Sequence, residues 1–572
     1  MKTGGMGFPC VPRIFFLLWQ KSGIGLFLVF FSLLALSCSR IGDYARERAD
    51  KAAYAIVADK QMTALGRADP FSIEDSHDDV SSRLLKESRR LDLAAENFTT
   101  PTITITLTEA MVAALANSRD FRSRRESLYM QALSLTESRR NFETIFSGSA
   151  AASVSRTETT LAEGETNVDW LGSRGLSLGA SRLLATGARL SLDFSHSFAR
   201  ALRGENNPSA SNGLAFSVTQ PLLRGAGSLV TQEGLRLAER AMIYSVRDFR
   251  RYQQGFIIQV AEQYFNLLSA RDQLQNAIKN HVNTLDNMRK LEMFAAGERA
   301  TSLEVDQASQ AVLEAESRLN TVRLDYAGRL DRFKIFLGLP LDLDIAPDPS
   351  ELEKLSIQGL IQPDISLRDA IQTALNNRLD YLNALDQLED TRRAVRIALL
   401  DFLPNLDFAY SYGTESGDDK DRVRLDFENS QQRWSLDLGL PFDWTPRRNN
   451  YRRALISLEQ SRRSVDLFRE NLILEVRDSW RALDEARTSY RIQLERARLA
   501  ERQVERASMF LERGSATVRD LLEAEDAMLS SRNAVTSALI AHTFQRMRFW
   551  NTIERFEIDE DGLWIEQNPN LP

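Results

Sequence analysis

GSATVRDLLEAEDAML (residues 514–529) and, far upstream, GERATSLEVDQASQAVL (residues 297–313) decide how this chain folds. Each breaks a long run of helix-forming residues with a glycine, followed three or four positions later by a threonine. Glycine takes the left-handed conformation that ends a helix, and Ser515, Thr517 or Thr301 can cap the helix that follows. Gly297 and Gly514 therefore read as the bends of two helical hairpins. One uninterrupted helix would tolerate a glycine at a cost of about 1 kcal/mol against alanine. Recurrence of the pattern favours the hairpin, as does the apolar stripe that Val518, Leu521, Leu522 and Met528 restart beyond the second bend.

Working outward, residues 447–513 contain neither proline nor glycine before the bend, and apolar or small residues recur at sevens: Val476, Leu483, Tyr490, Ala497, Val504 and Leu511. That is coiled-coil spacing. A helix of about 67 residues rises to roughly 100 Å, too long for any compact domain.

The chain also repeats itself. ITLTEAMVAALANSRDF (105–121) matches ISLRDAIQTALNNRLDY (365–381), VTQPLLRGAG (218–227) matches GLPFDWTPRR (439–448) with Pro221 on Pro441, and the two bends match with Ala300-Thr301 on Ala516-Thr517. Three matches in one order indicate a duplication. Each copy begins with a helix, passes through alternating segments of strand character, and ends in a long helical pair. Leu214, Phe216 and Val218 alternate with small or polar residues, as do Leu436, Leu438 and Leu440, which predicts strands with one apolar face. Strand segments are expected at 148–157, 175–184, 188–198, 213–220, 405–413 and 433–440, four in the first copy and two in the second. Pro221, Gly225 and Pro441 mark the bends from strand into helix.

The N-terminus places Lys2, Arg13 and Lys21 before the apolar run GLFLVFFSLLAL and then Ser37, Cys38 and Ser39. Basic, apolar and small residues in that order form a secretory signal. Its ending, Leu34-Ala35-Leu36-Ser37-Cys38, resembles the bacterial lipoprotein signal, which implies a lipid (palmitate-bearing) modification at Cys38; an uncleaved membrane anchor is the other reading. Cys10 would leave with the signal, so the mature chain could form no internal disulfide. Ser39 after the cysteine resembles lipoproteins passed on to the outer membrane. Residues from about 41 to 100 read as a lightly structured polar leader.

Beyond the signal no run of 18 apolar residues exists, so a membrane crossing would need strands closed into a barrel. Two or three hairpins are too few for one chain, and closure therefore requires several copies. The net charge of −7 and the lack of a basic stripe argue against nucleic acid as a partner.

The duplicated TEAMVAALANSRDF and RDAIQTALNNRLDY, the strand exit SVTQPLLRGAG and the turns GERATSLEVDQA and GSATVRDLLEA resemble the TolC-like outer membrane efflux family over residues 105–556. The resemblance implies a mixed fold in a homotrimer. Long α-helical coiled-coil hairpins form a periplasmic tunnel, and four strands from each of two-repeat protomers join a twelve-stranded transmembrane β-barrel. It implies an outer membrane exit duct for tripartite efflux or type I secretion in a Gram-negative bacterium, with an inner membrane pump and a periplasmic adaptor (membrane fusion) protein as partners beside outer membrane lipid. The expected division is a signal at 1–37, a leader at 38–104, the first repeat at 105–345, a linker at 346–364, the second repeat at 365–556 and a tail at 557–572. Four strand segments in the first repeat depart from the family's two.

The same resemblance places Asp520 and Glu523 at the acidic, closed periplasmic end, with Glu304 and Asp306 as their counterparts in the first repeat. Three copies would concentrate negative charge around a narrow axis. Acids in the first helical turn are equally what the macrodipole favours. The family's basic residue before the acidic pair is replaced by Ala516, with Arg513 or Arg519 as substitutes.

Enzyme signals are sparse, and no catalytic residue, metal ligand set or cofactor is expected. Gly175-Leu176-Ser177-Leu178-Gly179 fits a hydrolase serine motif, but that motif needs a strand, a sharp turn and a helix, whereas here it lies in an alternating strand. His77, His196, His281 and His542 show no ligand spacing. The remaining alternative is a lipid-anchored periplasmic coiled-coil adaptor or scaffold without a barrel.

Overall fold

The structure is a computed structural model that describes residues 24–73, 103–160, 166–203, 209–416, 425, 427–428, 430–513 and 515–557. In chain order the first half contains α1 (Ile24–Leu65), β1 (Ile103–Ile105), α2 (Leu107–Asn117), α3 (Arg119–Arg140), β2 (Ile145–Thr160), β3 (Thr166–Leu183), β4 (Arg189–Arg203), β5 (Ser209–Pro221), α4 (Ser228–Thr231), α5 (Glu233–Ala296) and α6 (Ser302–Leu337). After β6 (Ile345–Pro347) and α7 (Ser350–Gln358), the second half contains α8 (Leu367–Asn377), α9 (Leu379–Leu400), β7 (Asn405–Glu415), β8 (Gln431–Gly439), α10 (Thr445–Glu512) and α11 (Val518–Thr552).

The duplication is visible element by element. α2 and α8 both have 11 residues, α3 and α9 both have 22, and the long helices have 64 and 36 residues in one repeat against 68 and 35 in the other. Thr106 and Ser366 start the equivalent short helices by accepting from the N–H of Glu109 and Asp369. At about 1.5 Å per residue, α10 extends roughly 100 Å. Its buried side chains Leu458, Val465, Leu472, Val476 and Leu483 step by sevens, with one four-residue step from Leu472 to Val476, the d-to-a spacing of a single heptad register.

Where the two repeats meet, Phe121, Phe256, Tyr264, Leu268, Phe333, Leu337, Phe544 and Met547 form the main core. A small parallel sheet closes it, pairing Ile103 with Ile345 and Ile105 with Pro347. Buried Tyr264 fixes that sheet by donating to the Ile105 carbonyl at 3.0 Å and accepting from the Asp348 N–H at 3.1 Å. Arg271 donates to the Pro347 carbonyl from the other side.

One expectation needs correction. The stretch read as a lightly structured leader is helical up to Leu65. Ala53, Ile56 and Val57 of α1 bury against Leu128, Ala132 and Leu135 of α3 and against Met242 and Val246 of α5, while Tyr129 donates to Asp50 at 2.5 Å. Its small apolar residues are spaced for one helical face inside a polar composition, so overall polarity concealed them. Between the repeats, residues 346–364 contain the helix α7. The signal expectation falls on residues 1–23, outside the described residues, and on residues 24–41, where the backbone alone is described; Cys38 lies in the latter.

Candidate functional site

Beyond the N-terminal apolar run, no helix among the described residues is long and apolar enough to cross a membrane, which turns attention to the sheet. Its order is β2-β3-β4-β5-β7-β8, antiparallel throughout. The six segments expected from the alternation all form strands of this one sheet, including the four of the first repeat. The register carries one face across it. Gly148, Leu178, Phe194, Leu214 and Thr414 lie in a row, and Leu190, Val218, Tyr410 and Trp434 in another. Leu176, Leu178, Leu192, Trp434, Leu436 and Leu438 are exposed on this apolar face. Tyr410 packs on Trp434 with ring centroids 4.2 Å apart, and Phe408 lies 6.1 Å from the same ring. An apolar band with clustered aromatic rings is the pattern that the lipid-facing side of a transmembrane barrel carries.

The opposite face is built of small polar residues. Ser149 and Ser177 hydrogen-bond at 2.7 Å, Ser153 and Ser173 at 2.7 Å, Ser191 and Ser217 at 2.8 Å, and Ser197 and Ser211 at 2.7 Å. Each pair spans directly opposed residues of neighbouring strands. This serine ladder escaped the sequence reading, although its signal is present there: serines recur on alternate positions at 147, 149, 153 and 155 of β2 and at 191, 195 and 197 of β4. Ser177, the centre of the hydrolase-like motif, faces Ser149 within the ladder and has no helix after it. His196 bonds Asn212 at 2.7 Å, His542 is buried in α11, and His77 lies outside the described residues. Among those residues no group of three or more histidine, cysteine or acidic side chains is placed to hold a metal ion.

Strand-to-helix bends follow the expected residues. β5 ends at Pro221, and Gly225 and Gly227 take φ values of 81° and 87°. On the second side Pro441 follows β8, and α10 starts at Thr445 with proline in its first turn. At the first bend the Gly227 N–H donates to the Thr186 carbonyl at 3.0 Å, and the Thr186 hydroxyl bonds Gln220 at 3.1 Å. The turn between β3 and β4 is therefore seated at the helical end of the sheet.

At the opposite, helical end the two hairpin tips lie side by side. Leu291, Ala308 and Val518 share a core with Leu511 and Leu522. Asn287 donates to Glu525 at 2.6 Å, and Arg318 pairs with Asp526 at 2.8 Å. Thr517 and Asp520 form a capping box at the start of α11, and Thr301 and Glu304 form the same box at the start of α6. Both carboxylates accept from the threonine N–H at 2.8 Å. The hydroxyl and then the N–H of Thr517 hold the Asp520 carboxyl below its ordinary range.

Glu523 is exposed and pairs with Arg519 at 2.8 Å. Asp306 is exposed near the start of α6. The groove beside α11 brings Asp520 and Glu523 together with Arg502, Arg506 and Phe510. Of the two arginines offered as a substitute for the missing basic residue, Arg519 is the one that meets the acidic pair. One turn below, burial pushes the Glu525 carboxyl up, against a smaller opposing pull from the Asn287 amide.

The glycine reading of the first bend is corrected. Gly297 has φ −92°, and the left-handed residue is Glu298, at φ 57°. Arg299 donates to the Phe294 carbonyl at 2.8 Å and Glu298 to the Ala295 carbonyl at 3.0 Å, the two bonds of a Schellman motif, which requires the left-handed residue one position after the cap. Counting back from the matched threonines, Glu298 rather than Gly297 corresponds to Gly514. Gly514 itself lies outside the described residues, but Ser515 donates to the Phe510 carbonyl at 2.9 Å, the same five-residue reach as at Arg299.

Residues 370–541 match the family model described as outer membrane efflux protein. No curated protein sequence matches the chain. Solved structures do: the Campylobacter jejuni CmeC outer membrane channel at 17% identity and TM-score 0.57, covering 84% of this chain and 93% of that one. The Vibrio cholerae outer membrane protein VceC matches at 14% identity and TM-score 0.56, covering 78% and 95%. The open-state Neisseria gonorrhoeae MtrE outer membrane channel matches at 15% and 0.56, covering 78% and 88%. At these identities the likeness is one of fold, and it runs through both repeats. The family model thus lies on the second repeat, and the fold of the outer membrane channels runs across both.

Proposed function

We propose that this protein is the outer membrane exit duct of a tripartite efflux or type I secretion system. It works as a homotrimer and conducts substrate passively from an inner membrane pump to the exterior. The observation that carries this reading is the two-faced sheet: its apolar, aromatic side suits lipid, its serine side suits water, and its strands run into helices roughly 100 Å long. A periplasmic adaptor engages the grooves between the helical hairpins. Cys38 carries lipid and tethers the chain to the outer membrane.

At the inner tip, Asp520, Glu523, Glu304 and Asp306 ring the axis in three copies, drawing cations and repelling anions while the tip is closed. Arg519 moderates that charge through its pair with Glu523. Dilation of the tips opens the duct.

The lipid-anchored scaffold without a barrel explains the helices and not the sheet, because a soluble rod gains nothing from an exposed row of Trp434, Leu436 and Leu438. Insertion of the detergent-extracted full chain into planar lipid bilayers tests the proposal. Discrete conductance steps from threefold particles are expected; slender rods that give no conductance would replace the duct with the scaffold.

A further inference from the structure

The outer edges of β2 and β8 bound the six-stranded sheet, and among the described residues no strand pairs with either. Neither edge can remain open in a bilayer, since hydrocarbon offers its N–H and C=O groups no partner. We propose that β8 of one copy pairs antiparallel with β2 of the next, so that three copies close an eighteen-stranded barrel. That barrel is wider than the twelve strands implied by the family resemblance, and the inference rests on the trimeric duct reading above.

The surplus strands cannot be set aside as a loop. β3 and β4 lie in the middle of the sheet, laddered to β2 from Ile145–Ser181 to Thr160–Thr166 and to β5 from Arg189–Thr219 to Ala199–Ser209. Removing them from the wall would break both ladders. They also carry both faces of the wall: Leu178 and Phe194 continue the apolar row, while Ser177 and Ser191 continue the serine ladder. Their connecting turn is fastened where the wall meets the helices. Besides the Thr186 bonds, a Cβ on Gly187 would stand 2.9 Å from the Gly225 carbonyl oxygen. Packing that close between two bends holds the hairpin at the base of the barrel.

Direction and width agree. β2 leaves α3 and runs away from the helical end, β8 returns to it, and neighbours around a closed ring therefore stay antiparallel. Strands about 4.8 Å apart and tilted by about 40° each take roughly 6 Å of circumference. Six strands then span roughly 38 Å, against roughly 32 to 40 Å for the four helices α3, α5, α9 and α10 that continue them at 8–10 Å apart. The serine, glycine and alanine of the inner face leave that wider lumen open, where a packed interior would need large side chains.

Cryo-electron microscopy of the detergent-extracted full chain counts the strands. In parallel, Ser435→Cys or Arg433→Cys on β8 is combined with Ser147→Cys or Ser149→Cys on β2 and oxidised. Eighteen strands in a threefold wall and intermolecular disulfides that yield a covalent trimer are expected. A threefold particle with twelve wall strands and β3–β4 outside would overturn the inference and leave the duct intact. Absence of threefold particles and of conductance would overturn both.

Discussion

Thr517 and Asp520 secure each other at the start of α11: the aspartate accepts from the Thr517 hydroxyl at 2.6 Å and its N–H at 2.8 Å, and returns its own N–H to the hydroxyl at 3.3 Å. The proposed gate acid is thus also a helix cap. The two roles separate by mutation. Thr517→Ala removes the cap at a cost of about 1 kcal/mol and changes no charge, so it should speed amide exchange in the first turn of α11 while leaving cation preference in bilayers unchanged. Glu523→Gln, which caps nothing, should lower cation preference with little change in exchange. Equal effects of both variants on selectivity would argue against an acidic filter.

Gly338 ends α6 at φ 73°, and a Cβ there would lie 2.8 Å from the Asn117 carbonyl carbon, where α2 ends. Backbone cannot yield as a flexible side chain would. Gly338→Ala should destabilise the junction by at least about 2 kcal/mol, combining left-handed strain with the clash. Gly297→Ala has right-handed φ and no neighbour closer than 3.6 Å, and should stay within about 1 kcal/mol of the parent. Thermal melts of the extracted protein rank the two.

Glu298→Gly is expected to stabilise the first tip by about 1 kcal/mol, because it relieves a left-handed non-glycine residue. Slower proteolysis between α5 and α6 is the readout. Faster cleavage would mean that the Glu298 side chain holds the turn in a way its backbone geometry does not reveal.

The legible parts of this protein are those governed by one repeating rule. Heptads at Val476 and Leu483 and alternation at Leu436 and Leu438 give element type directly, because burial of one stripe or face dictates the period. The strand count pointed to several copies, but nothing local in β2 or β8 selects which strand would cover each edge. The exact left-handed residue also escaped. Gly297 looks like a helix terminator, yet the terminating bonds are set by where Thr301 starts the next helix, and that start throws the strained position onto Glu298. The serine ladder was visible as composition but gained meaning only once register paired Ser149 with Ser177.

Glu525 couples the hairpins to pH. Burial raises its folded-state pKa above the ordinary value, so the contribution of its neutral form is fully present below the unfolded pKa and is lost as pH rises through the folded one. Once ionised, this carboxylate is a desolvated charge that accepts from Asn287 at 2.6 Å. Glu525→Gln should keep that bond and remove the penalty. Tip stability by amide exchange should rise at pH 7 and converge with the parent at acid pH, whereas a variant weaker at both pH values would show that the charge itself is needed between the hairpins.

Leu178 and Ser177 are neighbours on β3 that point to opposite faces. An arginine on the lipid face costs about 2–4 kcal/mol near the bilayer midplane, whereas one on the lumen side mainly alters selectivity. Leu178→Arg should thus reduce the yield of assembled protein in the outer membrane, and Ser177→Arg should assemble normally but conduct less and disfavour cations. The ladder gives Ser177 a hydrogen bond worth about 1 kcal/mol, so its loss alone cannot mimic the first variant. Reversed phenotypes would mean that the serine face meets lipid, a face on which paired hydroxyls have no advantage over alanine, and the assignment of wall and lumen would have to be exchanged.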